Sequence, residues 1–128
     1  APRYHWGPRM RVQRRYILVV TTRAYEIMII VDGDEEDAKV DEIVQDVDAW
    51  IQGQNGQIAK TDKWGKRKFA YEINHKTEGH YVVLEMTTGQ IDMEPLERQL
   101  RLVDEVVRHK LIRLPEQEAI RRGLIEKS

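Results

Sequence analysis

The first regular pattern in the chain is an alternation with a period of two over residues 25–31. One set of alternate positions is hydrophobic throughout and predicts a strand with one buried face: Tyr25, Ile27, Ile29 and Val31. Gly33 ends this strand. Asp34 is the predicted N-cap of a helix, because three acidic residues follow it where the helix dipole favours negative charge. The helix continues through a hydrophobic stripe at helical spacing: Val40, Ile43, Val44, Val47 and Ile51.

The rest of the chain predicts a strand, a second strand, a helix and a last strand. Their predicted bounds are 57–70, 80–87, 92–101 and 106–114. A loop over residues 74–78 joins the two middle strands, Pro95 fits only the first turn of the helix, and Pro115 stops the last strand. The order of the six elements predicts an α+β ferredoxin-like fold, the split βαβ arrangement (βαββαβ). In this fold a four-stranded antiparallel sheet carries both helices on one face.

The alternation within the strands also predicts the composition of the face without helices, here called the open face. If Ile27 and Ile29 point to the helices, Met28 and Ile30 point to the other side. The same alternation places Arg108 and Lys110 on the open face. An apolar patch rimmed by cations is typical of a partner surface, although single exposed hydrophobic residues are normal. The residues expected to bind a partner are Met28, Ile30, Tyr81, Val83 and Ile112.

Composition and length fit one globular domain with a heavily charged surface. The 128 residues are 41% hydrophobic and 34% charged, and a chain of this length builds one core. The longest apolar run, residues 16–20, is too short to span a bilayer, so we expect no membrane contact. The absence of cysteine excludes disulfides, thiol nucleophiles and thiolate metal sites, and it fits a reducing compartment.

The net charge of −1 conceals a strong asymmetry along the chain. Residues 1–23 contain six arginines and no acidic residue, whereas all 22 acidic residues follow. A basic arm on an acidic body is common in proteins that associate with nucleic acid, but a solubilising tail explains it equally simply. We divide the chain into a basic arm without its own fold (1–22), the ferredoxin-like domain (23–114) and a C-terminal tail (115–128), which is either a short helix or mobile.

The stretch 64–74 places three consecutive cations between aromatic residues inside a predicted strand. Cations of this kind suit a surface that grips phosphate, and Gly65 predicts a bulge or a close backbone approach. A charged edge strand that prevents aggregation explains the same residues without a ligand. The two interpretations are about equally supported by the stretch alone.

Catalytic and metal-binding patterns are missing from the sequence. It has no Gly-rich phosphate loop and no GxSxG turn, and its four histidines include no helical i, i+4 pair. The third predicted strand, Gly79–Leu84, has one aromatic residue and lacks the signature of an RNA recognition motif. We therefore expect no enzyme, no cofactor, no metal site and no small-molecule substrate.

Four short motifs resemble the bacterial ribosomal small-subunit protein six family in order and spacing. They are Arg23-Ala24-Tyr25-Glu26-Ile27, Trp64 to Tyr71, Glu78-Gly79-His80-Tyr81, and Leu100-Arg101 with Asp104 to Arg108. The resemblance covers Arg23 to about Leu114. It implies a structural protein of the cytoplasmic ribosome that binds small-subunit ribosomal RNA in the central (platform) domain. It also implies a heterodimer with small-subunit ribosomal protein eighteen and no catalysis.

On this interpretation six cations bind phosphates, as positioning contacts that carry little sequence information. They are Arg23, Lys66, Arg67, Arg101, Arg108 and Lys110. The rival hypothesis is a stand-alone ferredoxin-like oligomer that binds a small metabolite and covers its open face with a second copy.

The chain departs from the family pattern at two places, one after the basic strand and one before the first motif. Glu72 stands where family members often have proline, so the loop after the basic strand is less defined. Twenty-two residues precede Arg23, whereas family chains usually begin just before this motif. One hypothesis is that the native chain starts at Val20, with residues 1–19 translated upstream sequence; the other is an Arg-rich arm that folds on RNA.

Overall fold

A computed structural model of the chain describes residues 22–126, which form four strands and three helices. The strands are β1 (Arg23–Asp32), β2 (Gln57–Ile73), β3 (Lys76–Thr88) and β4 (Val106–Arg113). The helices are α1 (Asp37–Gly53), α2 (Glu94–Arg101) and α3 (Glu116–Arg121). The predicted arm lies outside the described residues except for Thr22, and so does the hypothetical start at Val20.

The four strands form one antiparallel sheet in the order β2-β3-β1-β4. Strand β1 is central and pairs with β3 from Arg23↔Thr88 to Asp32↔Gly79. On its other side β1 pairs with β4 from Tyr25↔Arg113 to Val31↔Val106. With α1 between β1 and β2, and α2 between β3 and β4, this is the predicted ferredoxin-like βαββαβ fold, which the structure confirms.

The core lies between the sheet and the helices α1 and α2. Ile27 and Ile29 of β1, and Val82, Leu84 and Met86 of β3, are completely buried. They pack with the predicted stripe of α1 and with Leu96 and Leu100 of α2 in one cluster. Because both helices contribute to the same cluster as the alternate strand residues, both lie on one face of the sheet, as predicted.

The structure corrects three local predictions. Helix α1 begins at Asp37 after an N-cap at Glu36, not at Asp34; Asp34 instead donates its backbone N–H to the Asp32 carboxylate, 3.0 Å away, in a turn. Strand β2 continues to Ile73 rather than Ala70. The predicted loop 74–78 is reduced to a two-residue turn, where Asn74 and His75 both have positive φ, a conformation that asparagine and histidine adopt more readily than most residues.

The C-terminal segment, residues 114–126, packs on the domain instead of leaving it. Leu114 donates its backbone N–H to the carbonyl of Ala24 at 2.9 Å, and α3 follows after Pro115. Ala24, Leu114 and Ala119 form a second buried cluster, against which Leu124 and Ile125 pack. Of the two possibilities for the tail, the short helix is present, and it covers one end of the open face.

Candidate interface on the open face

The open face consists of successive rows of side chains that the strand register places next to one another. The row of Glu26 includes Glu85 of β3 and Ile112 of β4. The row of Met28 includes Val83 and Lys110, and the row of Ile30 includes Tyr81 and Arg108. The row of Ala24 lies beneath the C-terminal segment. The open face therefore has a covered end, a middle part and an opposite end.

The middle part forms a groove of about 290 Å³. Its lining residues are Glu26, Met28, Trp64, Val83, Lys110 and Ile112. The floor is hydrophobic, whereas a carboxylate and an ammonium group stand at its margins. This volume lies at the lower limit of the range of roughly 300–1,000 Å³ in which small-molecule sites fall. Its hydrophobic lining can also receive a protruding apolar side chain of another macromolecule.

An aromatic cluster forms the β2 side of the open face. Trp64 is stacked on Tyr81 with ring centroids 6.0 Å apart and planes 8° from parallel, and Phe69 meets Tyr81 edge-on at 6.2 Å. The Arg67 guanidinium lies over the Trp64 ring at 5.4 Å. This arrangement is favourable because a cation is attracted to the face of an indole ring.

A bulge in β2 creates this cluster. The register advances by two residues on β2 between the pairs Lys63↔Val82 and Gly65↔Tyr81, so Trp64 is an extra residue. Gly65 has a φ of 83°, a conformation that glycine adopts at little steric cost. The glycine signal in the sequence thus correctly predicted a bulge, but Trp64 itself was not among the predicted site residues.

The residues predicted to bind a partner differ in their exposure to solvent. Met28, Tyr81 and Val83 are partly exposed and Ile112 is 38% exposed. Ile30 is on the predicted side of the sheet but is only 3% exposed. Phe69 and Ile30 converge over Gly79, where an added Cβ would lie 2.7 Å from Ile30 Cγ2 and 3.0 Å from Phe69 Cζ. Ile30 is therefore a packing residue of the open face with almost no surface to offer a partner.

The predicted RNA-binding cations do not form one patch. Arg108 and Lys110 lie in adjacent rows of the open face, and Arg67 is there too, over Trp64. Lys66 pairs in register with His80 and thus faces the helix side, 3.9 Å from Glu78.

The other two predicted cations lie elsewhere. Arg101 on α2 makes an ion pair with Glu94. Arg23 begins β1 and has its Nε atom buried without a hydrogen-bond partner.

Ion pairing distinguishes Arg108 and Lys110 from Lys63 on the helix side. Lys63 binds Asp41 of α1 at 2.6 Å, and this hydrogen bond raises the pKa of Lys63 above its ordinary value. In contrast, Arg108 and Lys110 are exposed and have no carboxylate within ion-pair distance in the described part of the chain. Unpaired cations are the ones that remain available for an external anion.

Sequence reasoning also missed a cluster around Arg122. Its Nη1 atom lies 3.0 Å from Glu26 Oε1 and 2.8 Å from Glu85 Oε2, and its Nε donates to Glu118 Oε2 at 2.6 Å. The two strand partners lie 96 and 37 residues before Arg122, so no local pattern signals the contact. Together these hydrogen bonds, with the one to Glu118 the strongest, raise the pKa of Arg122.

Three of the four histidines lie among the described residues, and each has a simple structural setting. His80 Nε2 donates to the Glu35 carbonyl at 2.6 Å, His109 lies 3.1 Å from the Glu97 carboxylate, and His75 is exposed at the turn. Within residues 22–126 no three His, Asp or Glu side chains are grouped as a metal site would require. None of the described helices is long and apolar enough to cross a membrane.

Comparison with known proteins gives consistent matches. The sequence model of a family described as "Ribosomal protein S6" matches residues 24–113. The small ribosomal subunit protein bS6 of Carboxydothermus hydrogenoformans is 40% identical over 91 residues, which are 71% of this chain and 95% of that protein. The bS6 protein of Salinispora arenicola is 43% identical with the same coverage. The crystal structure of 30S ribosomal protein S6 from Thermotoga maritima matches with a TM-score of 0.71 and 30% identity, covering 80% of this chain and 96% of that one.

Proposed function

Because the chain belongs to the ribosomal protein S6 family, we propose that it binds small-subunit ribosomal RNA in the central (platform) domain, together with small-subunit ribosomal protein eighteen. Membership of this family confirms the resemblance that the four motifs indicated, and it also establishes the general role of the chain. The chain is a structural constituent of the small ribosomal subunit in the cytoplasm and not an enzyme.

The observation that carries the proposal is the division of the open face into an apolar groove and a set of unpaired cations. The groove has hydrophobic walls from Met28, Val83 and Ile112. Lys110 also lines the groove and Arg108 lies in the neighbouring row, and neither has a carboxylate partner among the described residues. One face can thus serve two ligands, since a protein side chain is favoured by the groove and a phosphate by its rim.

For the RNA, we assign the main phosphate contacts to Arg67, Arg108 and Lys110. All three belong to the same face of the sheet, so one strand of RNA can meet them together. Arg23, Lys66 and Arg101 contact the same RNA only if it wraps around the β2 edge or onto the helix side.

For the protein partner, we assign the contacts to the groove and to Tyr81 at its margin. Burying partly exposed side chains such as Met28 and Val83 removes apolar surface from water, which is the main favourable term in protein association. Ile30 supports this surface from below rather than contacting the partner, because it is already buried.

The experiment that tests the proposal is a chemical footprint on platform RNA with the protein, with protein eighteen and with both. We expect protection of platform nucleotides that is stronger with both proteins than with either alone. Affinity measured over a salt series adds a residue-level test. Removing one cation that binds a phosphate reduces the slope of log K against log salt by somewhat under one unit.

Arg108→Ala and Lys110→Ala should weaken RNA binding and flatten this slope while leaving the fold intact. Arg98→Ala is the matched control, since Arg98 is also exposed but lies on α2, away from the open face. An unchanged slope in both variants would remove Arg108 and Lys110 from the RNA interface. A salt-insensitive homo-oligomer in size-exclusion chromatography, with no platform footprint, would instead support the metabolite-binding rival.

A further inference from the structure

The C-terminal segment adds to the open face a component that lies beyond the residues matched by the family model. The family match ends at residue 113, whereas the packing described above continues through Leu124 and Ile125. Ala119 of α3 is completely buried against the sheet. The segment therefore covers the end of the open face that lies next to the row of Glu26.

Arg122 connects this segment to the groove. It binds Glu26, which lines the groove, and Glu85, which is the cross-strand neighbour of Glu26. The side chains of Glu26 and Glu85 are 29% and 15% exposed. Two carboxylates directly opposite each other on neighbouring strands repel, and Arg122 is the cation that lies between them.

Arg122 neutralises the carboxylates at the covered end of the groove. It makes ion pairs with Glu26, Glu85 and Glu118, whereas Lys110, which also lines the groove, makes no ion pair with either strand glutamate. With the Glu26 carboxylate paired, the hydrophobic lining from Met28, Val83 and Ile112 favours an uncharged, apolar side chain over an ammonium group.

We propose that residues 115–126 are part of the docking face, and that Arg122 is a positioning residue that makes the groove fit for an apolar side chain of the partner protein. This inference rests on the proposed function, which supplies the partner. Docking in the groove removes Glu26 and Glu85 from water. Burying an unpaired carboxylate is costly, whereas a carboxylate already hydrogen-bonded to a guanidinium needs far less hydration.

The test compares the affinity of purified protein eighteen for full-length variants, with thermal melting of each variant as the check on folding. Arg122→Gln should weaken binding about tenfold, because docking then buries two unpaired carboxylates. Adding Glu26→Gln and Glu85→Gln to this variant should restore binding to within about threefold, since it removes the charges that Arg122 neutralises. Arg121→Gln is the matched control and should change affinity less than twofold: Arg121 also binds Glu118 but contacts neither glutamate of the sheet.

The rescue distinguishes this role from a merely structural one. If the triple variant binds as weakly as Arg122→Gln, the arginine acts only by holding the segment in place and the inference is wrong. Tighter binding of Arg122→Gln would also overturn it, because the partner would then present a cation. If Arg122→Gln binds RNA more weakly but protein eighteen normally, the groove accommodates RNA and the inference is again wrong. Failure of the unaltered chain to bind protein eighteen would overturn the proposed function as well.

Discussion

The two faces of strand β1 carry hydrophobic side chains of similar size that differ in how deeply they are buried. Ile27 and Ile29 on the helix side are completely buried, whereas Met28 between them is partly exposed and lines the groove. Side chains one residue apart in a strand point to opposite faces. The same short segment can therefore hold the core together on one side and present a binding surface on the other.

The difference between the faces arises from what covers them. Helices α1 and α2 close the helix side along the length of β1, while the C-terminal segment closes only the end of the open face near Ala24. The covered end and Ile30 at the opposite end are buried, and the groove lies between them. A half-covered sheet thus concentrates its exposed apolar surface in one place.

The largest expected effect is a difference in unfolding free energy between truncations on the two faces of β1. Ile29→Ala should lower the free energy of unfolding by roughly 2–5 kcal/mol, because it creates a cavity in the core. Met28→Ala, its neighbour on the open face, should cost roughly 1 kcal/mol because less apolar surface is buried there, and it should weaken the binding of protein eighteen. Urea denaturation measures both. A cost below about 0.5 kcal/mol for Ile29→Ala, the size of an ordinary surface substitution, would contradict the assignment of the faces.

A smaller effect tests why Ile30 is buried although other hydrophobic residues on the open face are partly exposed. Gly79→Ala should destabilise by about 1–3 kcal/mol, because the new Cβ would lie 2.7 Å from Ile30 Cγ2 and 2.9 Å from the carbonyl oxygen of Val31. Gly53→Ala is the matched control, since nothing lies within 4 Å of an added Cβ there. It should be neutral or slightly stabilising. Equal denaturation midpoints for the two variants would mean that Ile30 and Phe69 do not converge tightly on Gly79.

The smallest effect concerns the pH dependence of the covered end. Hydrogen bonds from Arg121 and then Arg122 lower the pKa of Glu118 from 4.5 to about 2. Because the pKa is lower in the folded state, these ion pairs stabilise the docked segment above about pH 4.5, and their contribution disappears as the pH falls toward 2. The Glu118 side chain is partly exposed to solvent, so screening keeps the contribution small.

Carbon-13 NMR of the Glu118 carboxyl group measures this titration. Its midpoint should lie near pH 2 in the unaltered protein and should rise toward 4.5 in Arg121→Gln. A midpoint near 4.5 without any substitution would show that the segment is not held as described.

Much of the fold was predictable because each element has its own periodicity. The period of two in β1 and the helical stripe of α1 assigned the core correctly. The exact start of α1 was not predictable, because Asp34 satisfies the same preferences in a turn as in an N-cap. The extension of β2 to Ile73 was missed although Phe69, Tyr71 and Ile73 alternate with Ala70 and Glu72, because the three cations before Phe69 interrupt the hydrophobic pattern.

The interface was less predictable, for a physical reason. Alternation assigns a residue to a face but not its exposure, so Ile30 was placed on the correct face while its burial was not foreseen. Trp64 reaches the open face only through a bulge. The pairing of Arg122 with Glu26 joins distant parts of the chain, and a single sequence contains no signal for such a contact.

That pairing has a consequence for the time at which the protein becomes competent to bind. Strand β1 is among the first described residues to be synthesised, yet its open face is completed by β4 and then by Arg122, 96 residues after Glu26. A nascent chain that ends before residue 122 would expose Glu26 and Glu85 without their cation. On the proposal that Arg122 belongs to the docking face, this face is one of the last features to form, and a protein truncated before residue 122 would retain most of its core without the completed face.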